Sequence, residues 1–432
     1  MKANLALGLP YRKMRWLLAA WLALSTVLNL IDKQTLSILA PLLRDRFHLS
    51  VQDYSNVVTA FMISFTVMYT VGGRLVDWIG ERLSMAACIL WWSTCTILTG
   101  FAQGALSLGV VRFLLGLGEP VNYPAALRAC TRWFPKSERG LPIALFSSGG
   151  AVGNILAPPL LAWLTLKVGW RAAFFLPGAL GLIWLAVWLV IYRVPAGHPG
   201  ITRAELEQLG TESAAGGMDR PGGLREWAGL LKNRNVLALV LSRFVTDPAW
   251  YFYVFWTPEY LKRERGFSMA DIGMYAWIPF VAGAIGGMTG GRASDLLIRR
   301  GVPAVKARCL ILYSAAAIAP LGVLTGHVPS AAAAIALIAV MAFVAYTWFI
   351  NTAAMIPDLV GESVAGSVLG FIGTAGSAGG VLFTPLVGYL VAHYSYAVVF
   401  AMVGSMHVAG SAILWGLRRD AIPAIPQAEA AA

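Results

Sequence analysis

Charge is what this 432-residue sequence has least of. Asp, Glu, Lys and Arg make up 12% of it and hydrophobic residues 58%, with a mean hydropathy of +0.68, whereas soluble domains carry about 25% charged residues. A soluble enzyme or nucleic-acid binder is thereby excluded. Histidine and cysteine are scarce too, five and four. His48, His198, His327, His393 and His407 are scattered, no His/Cys cluster has metal-ligand spacing, and no nucleophile motif is present. Neither an enzyme nor a metal or cofactor site is expected. Cys88 and Cys95 share one apolar run and Cys130 and Cys309 adjoin polar loops, so all four read as unpaired structural thiols. The first apolar run, 16–43, is too long for a cleavable signal peptide and lacks a small-residue cleavage site.

What the sequence does have is apolar runs. A bilayer span takes about 20 residues, so with short loops one unit takes about 36 and the chain accommodates about twelve. The expected spans are 16–43, 53–76, 84–103, 106–130, 139–166, 171–193, 236–261, 270–293, 308–326, 331–355, 363–391 and 396–417. The net charge of +12 sits in short basic runs between them: Arg12, Lys13 and Arg15; Arg128, Arg132, Lys136 and Arg139; Arg299, Arg300, Lys306 and Arg308. These mark cytoplasmic loops by the positive-inside rule, and with Arg418 and Arg419 after the last span they put both termini in the cytoplasm of a cell inner-membrane protein. The segments 44–53 and 259–271 are near charge balance, as external loops should be. The polar stretch 194–234, helical over 202–209, is a linker between two six-span halves. The expected organisation is a cytoplasmic tail 1–14, a six-helix bundle 15–193, the cytoplasmic linker 194–234, a second bundle 235–418 and a tail 419–432.

The halves repeat. Pro41 and Pro258, each expected to end the first span of its half, are 217 positions apart. Ser50-x-x-Asp53 and Ser268-x-x-Asp271 follow at 218, both as capping boxes opening the next helix. Gly73-x-x-x-Asp77 and Gly291-x-x-x-Asp295 keep that offset, and Gly149-x-x-x-Gly153-x-x-x-x-Pro158 recurs as Gly376-x-x-x-Gly380-x-x-x-x-Pro385 at 227. Equal orientation of the halves makes this a parallel repeat about an axis along the membrane normal. The expected fold is an all-α membrane protein with twelve transmembrane helices in two such halves. Its glycine-rich helices suit both close packing and sliding.

An ionisable residue at the bilayer centre costs about 2.5–3.5 kcal/mol, so each needs a partner or a task. They are few: Asp32 and Lys33 in the first span, Arg112 and Glu119 in the fourth, Arg243 and Asp247 in the seventh. Arg112 and Glu119, seven positions apart, lie on one helix face about 10 Å apart along the axis. Adjacent Asp32 and Lys33 diverge by about 100° and should have different partners. The repeat sets Lys33 opposite Tyr251 and does not reproduce these charges, which favours function over architecture. Asp32 and Glu119 are candidate proton carriers, since a carboxylate in a low-dielectric cavity responds to desolvation and to a nearby cation. Lys33 suits a carboxylate ligand; Arg112 suits either that ligand or a counter-ion role for Glu119 or Asp32. Arg243 and Asp247, at i and i+4, read as an intrahelical ion pair.

Other candidate substrate contacts are Phe65 and Tyr69 in the second span, Asn154 in the fifth, Tyr251 in the seventh, and Thr347, Trp348 and Asn351 in the tenth. Gly73-x-Leu75-x-Asp77-x-x-Gly80-x-Arg82 closes the second span. Asp77, meeting a helix N-terminus or a neighbouring Arg, would latch one conformation; for its counterpart Asp295 a latch and a simple loop cap remain open.

That last motif, half-repeated in the second half, resembles the signature of the major facilitator superfamily over about residues 15–420. Within it, Asn29-Leu30-Ile31-Asp32-Lys33-Gln34-Thr35-Leu36-Ser37 and the run from Arg112 to Glu119, with Tyr123-Pro124 and Phe134-Pro135, resemble the anion:cation symporter family. Ala151-Val152-Gly153 to Ala157-Pro158-Pro159 and Arg243-Phe-Val-Thr-Asp247-Pro-Ala-Trp250 are similar to its hexuronate branch. The resemblance implies proton-driven import of a sugar acid such as galacturonate or glucuronate by alternating access, with Asp32 and Glu119 as proton sites and Lys33 with Arg112 organising the anion site. Lys33 stands where the family usually has Arg and cannot make Arg's bidentate contact; Phe65 replaces a frequent Tyr, and Asn154 adds an amide. The expected partners are a small organic anion, protons and lipid, with no nucleic acid, and a monomer is expected. An anion exchanger or uniporter on the same fold is the main alternative, and a transporter-like sensor a further one.

Overall fold

The computed structural model describes residues 10–198, 200–207, 209, 229–360 and 362–418. The first nine residues of the expected tail, linker residues 210–228 and the tail 419–432 lie outside them. Regular structure among the described residues is helical throughout. Before the linker come α1 (Tyr11–Phe47), α2 (Val51–Ile79), α3 (Glu81–Thr99), α4 (Ala105–Gly118), α5 (Asn122–Trp133), α6 (Gly140–Lys167) and α7 (Ala172–Ile191). After it come α8 (Arg234–Arg265), α9 (Met269–Tyr275), α10 (Ile278–Arg299), α11 (Ala304–Ile318), α12 (Ala331–Val360), α13 (Glu362–His393) and α14 (Tyr396–Leu417). Among the described residues nine helical stretches are long and apolar enough to cross a membrane. The stretches 81–99, 105–133 and 234–265 fall outside that group, and the last two carry Arg112, Glu119, Arg243 and Asp247.

Several local expectations have visible causes. Ser50 and Ser268 each form a full capping box with the Asp three residues on. The prolines behave differently from expectation: Pro41 lies inside α1, which runs on to Phe47, and Pro258 lies inside α8. Proline removes one backbone bond and leaves the carbonyl four residues earlier without its donor. Such helices continue where neighbouring groups satisfy that carbonyl, and here Ser37 Oγ donates to Val254 O at 2.5 Å, four residues before Pro258. The fourth span also departs from a continuous α-helix. α4 runs to Gly118, the helix tightens to a 3-10 turn over Glu119–Val121, and α5 continues from Asn122; Glu119 keeps helical dihedrals and its N–H bonds Leu115 O, so it stays two turns from Arg112 on the same helix. Pro120, which cannot donate, is part of that turn.

The chain divides into two compact units: 1–219, 251–281 and 381–396 form one, and 220–250, 282–380 and 397–432 the other. In the first, α1 and α6 make the most extensive helix pairing. Gly149 and Gly153 of α6 lie against the backbone of Ala23 and Val27, and a Cβ at Gly153 would come within 2.7 Å of Val27 O. Small residues here let two helices touch at the backbone. Also within this unit, at the Phe47 end of α1, Tyr54 Oη donates to Phe255 O at 2.5 Å and Ser55 Oγ to Thr384 O at 2.8 Å. Arg44 pairs with Glu259, and Arg263 pairs with Asp45 and, at 3.1 Å, with Glu259. In the second unit Val236, Leu239, Leu312, Trp348, Met355, Ile356, Ile372 and Leu414 form a buried apolar cluster.

Candidate functional site

The four charges of the first half meet inside the first unit. Helix α1 carries Asp32 and Lys33, α4 brings Arg112, and the 3-10 turn at the end of α4 presents Glu119. Asp32, Arg112 and Glu119 are 1%, 2% and 2% exposed. Lys33 Nζ stands 3.7 Å from Glu119 Oε2 and 4.1 Å above the centre of the Phe65 ring. Arg112 Nη1 donates to the main-chain carbonyl of Asp32 at 3.5 Å, and its guanidinium lies 5.9 Å from the Phe174 ring centre. Lys33 therefore faces Glu119 and Phe65, while Arg112 bonds the main-chain carbonyl of Asp32 and not its carboxylate.

The satisfaction of these groups is incomplete. Both carboxyl oxygens of Asp32, both of Glu119 and Nε of Arg112 are buried without a hydrogen-bond partner. Buried polar atoms are nearly always bonded, and one left bare costs about 1–3 kcal/mol, more when charged. Buried carboxyl oxygens without hydrogen bonds, one of them 3.7 Å from a lysine ammonium, are a place where a proton or an anionic ligand gains more than at a fully bonded ion pair. Packing alone does not require it.

A run of ring contacts beside it continues from Phe65, 5.9 Å from Tyr69 and 5.5 Å from Phe61, through Phe255 to Tyr251. Tyr69 is 42% exposed and Phe65 7%, so the hydroxyl-bearing ring is the accessible one. Asn154 is committed on one side: Gln34 Nε2 donates to its Oδ1 at 2.6 Å and to its main-chain carbonyl at 3.2 Å. Sequence reasoning quoted Gln34 only as part of a motif; the signal that would have found it is Pro158, which leaves the Asn154 carbonyl without its helical donor.

In the second unit the expected contacts are engaged within their own half. Thr347 Oγ1 donates to Gly286 O at 2.9 Å, Asn351 Nδ2 donates to Thr347 O at 3.0 Å, and Trp348 is buried in the apolar cluster, edge-on to His407. Asn351 Oδ1 is buried with no hydrogen-bond partner. Arg243 and Asp247 form the intrahelical pair that their spacing indicates, through two bonds of 2.5 and 2.7 Å, and Arg243 also donates to Thr352 Oγ1.

At the end of α2, Arg128 Nη1 binds Asp77 Oδ1 at 2.6 Å and Val76 O at 3.0 Å. Gly80 has φ +79°, in the left-handed region that glycine tolerates. Arg82 reaches Leu189 O, Gly73 faces open space, and Asp295 is exposed. Glu81, which sequence reasoning missed, gathers Arg128, Arg132 and Tyr192 around a carboxylate 1% exposed. The four cysteines are buried and free. Among the described residues no three His, Cys, Asp or Glu side chains come together as a metal site.

The profile of the Major Facilitator Superfamily matches residues 22–384. The chain belongs to that superfamily. It is therefore a multi-pass membrane transporter and not an enzyme. Among facilitator relatives, the hexuronate transporter of Escherichia coli (strain K12) is 27% identical over 417 residues, 96% of each chain. The probable galactarate/D-glucarate transporter GarP of the same strain is 30% identical over 411 residues, 90% of this chain and 91% of that one. A bacterial homologue of the human lysosomal transporter Spinster, solved in an inward-facing, unoccupied conformation, superposes with a TM-score of 0.71 at 18% identity, covering 94% of this chain and 95% of that one. That likeness establishes the facilitator fold and nothing about substrate.

Proposed function

We propose that this protein is a proton-coupled symporter that imports a sugar acid, a hexuronate-like monoanion, by alternating access. The observation that carries the reading is the pair of Lys33 and Glu119: one ammonium 3.7 Å from a buried carboxylate that has no hydrogen bond, with the preceding residue, Asp32, also bearing two unbonded carboxyl oxygens. Lys33 has two competing anions, the Glu119 carboxylate and the carboxylate of a substrate. A proton on Glu119 removes the first competitor and leaves the ammonium to the substrate; loss of that proton restores the ion pair and expels the substrate. Binding of anion and proton is then mutually favourable, which is the thermodynamic content of coupling. Asp32 is the second proton site. Arg112, by holding the Asp32 carbonyl, keeps that carboxyl beside the pair. The Phe65 ring under Lys33 supports the cation without supplying a competing anion.

In this reading Tyr69, Asn154 and Tyr251 are sugar contacts, and Thr347, Trp348 and Asn351 are further candidates. The stretches 81–99, 105–133 and 234–265 cross the membrane with the nine apolar ones. They complete twelve spans in two repeated six-helix halves, 15–193 and 235–418, with both termini and the 194–234 linker on the cytoplasmic side of the inner membrane. The Phe47 end of α1 is then external, and its ion pairs and side-chain to carbonyl bonds close that side. Asp77 with Arg128 latches one conformation, and the protein works as a monomer. Homology to a hexuronate transporter and to a galactarate/D-glucarate transporter supports the substrate class. Uptake of labelled D-galacturonate into proteoliposomes tests the reading. Accumulation should follow an imposed pH gradient and collapse with an uncoupler, whereas counterflow should persist without one. Net uptake that equilibrates without a pH gradient would establish a uniporter instead, and uptake only when the vesicles are loaded with a counter-anion would establish an exchanger.

A further inference from the structure

Gln34 has no part in the mechanism above, yet it makes the most directed side-chain contact near the site. It is 2% exposed and spends both N–H bonds of its amide on a single residue, at Oδ1 and O of Asn154. The main-chain bond exists because Pro158 cannot donate to the Asn154 carbonyl. The side-chain bond fixes the Asn154 amide: with Oδ1 facing Gln34, Nδ2 turns to the opposite side as a donor. The surroundings leave little slack. Gly153, next to Asn154, lies against Val27 and Leu30 of α1, and Gln34 follows Lys33 directly. Asn154 is thus registered to the Lys33 segment by one polar clamp and one backbone contact.

We propose that Gln34 is a positioning residue for substrate recognition, orienting Asn154 as a hydrogen-bond donor toward a hydroxyl or ring oxygen of the sugar acid and holding it in register with Lys33. This rests on the proposed function. It adds to the polar contacts of the first half a pair of amides, one touching the sugar and one that never does. The clamp also explains why an amide is tolerated at position 154: its buried acceptors are satisfied from α1, which leaves only the donor end for a ligand.

A double-mutant cycle read by substrate affinity tests it. Binding of D-galacturonate to the purified full-length protein is measured for wild type, Gln34→Ala, Asn154→Ala and the double variant. Each single change should weaken binding about 3- to 10-fold, one hydrogen bond's worth, and the double variant should be no weaker than either. The exchange Gln34→Asn with Asn154→Gln should restore affinity to within about twofold of wild type, because one long and one short amide again span the gap. Proton uptake on binding should be unchanged in all of them, since Lys33 and Glu119 are untouched. A purely structural Gln34 would give wild-type affinity in the folded variant, or losses that add to those of Asn154→Ala; either result overturns the inference. If Gln34→Ala does not fold, Gln34→Met keeps the length without the donor and takes its place. A wild-type protein that binds none of D-galacturonate, D-glucuronate and galactarate would overturn the proposed function and the inference together; normal wild-type binding with additive losses would overturn the inference alone.

Discussion

Replacing Glu259 by Gln should open the end of the molecule at which α1 finishes. Glu259 is fully buried and receives both Arg44, whose side chain is 11% exposed, and Arg263, 38% exposed. Removing one member of a buried pair costs about 3–5 kcal/mol because the other charge is left unpaired. The more exposed Arg263 adds no more than about 1 kcal/mol after solvent screening. The closed arrangement therefore loses about 3 kcal/mol relative to one in which Arg44 reaches water, a shift of about 100-fold in the closed-to-open ratio. Ser37 reports this shift. It is buried, bonded to Val254 O, and the four native cysteines are buried, so a Ser37→Cys variant offers one new thiol. Its labelling by a membrane-impermeant maleimide should be slow, and about 100-fold faster when Glu259→Gln is added. Adding Arg44→Gln as well should slow it again, since no orphan charge remains to favour opening. Unchanged labelling in Glu259→Gln would refute the assignment of these pairs as a closure.

Other perturbations follow from the same contacts. Gly153→Val puts side-chain atoms where α1's backbone lies and should cost about 1–3 kcal/mol in thermal unfolding, the range for overpacking, while Gly150→Ala, facing open space, should cost little. Asp77→Asn removes the charge of its exposed pair with Arg128 while leaving an acceptor oxygen, and should shift the conformational equilibrium by about 1 kcal/mol or less, read as a small change in Ser37→Cys labelling. His198 lies edge-on to Trp133, and burial holds its pKa below the usual 6.5. Its contribution is complete above pH 6.5 and lost as pH falls below it, because the detached segment takes up the proton first. Hydrogen-exchange protection at residues 200–207, corrected for intrinsic rates, should decline in that direction.

The parts legible in the sequence were those governed by short-range rules. Capping boxes at Ser50 and Ser268 and the Arg243–Asp247 pair depend on spacings of three and four residues, and buried charges announce themselves by their cost in an apolar run. Asp32 and Lys33 diverge because neighbours on a helix must. The unread parts depend on which helices touch. Arg44 with Glu259 and Gln34 with Asn154 join residues 215 and 120 positions apart, and no local pattern encodes such partners. Proline was misread at Pro41 and Pro258 because the rule that it ends a helix assumes water around the freed carbonyl. Here side chains from other helices satisfy such carbonyls, as Ser37 and Gln34 do. The 3-10 turn over Glu119–Val121 was hidden for a related reason: Pro120 fits a kinked α-helix equally well.

The competition between Glu119 and the substrate for Lys33 is tested most directly by counting protons when substrate binds. Purified protein in weakly buffered solution with a pH indicator, titrated with D-galacturonate near neutral pH, should take up about one proton per ligand bound, as linkage requires of a carboxylate that must be neutralised first. Glu119→Gln should still bind D-galacturonate and take up none at this site. Binding by the wild-type protein without proton uptake, or undiminished uptake in Glu119→Gln, would contradict the account.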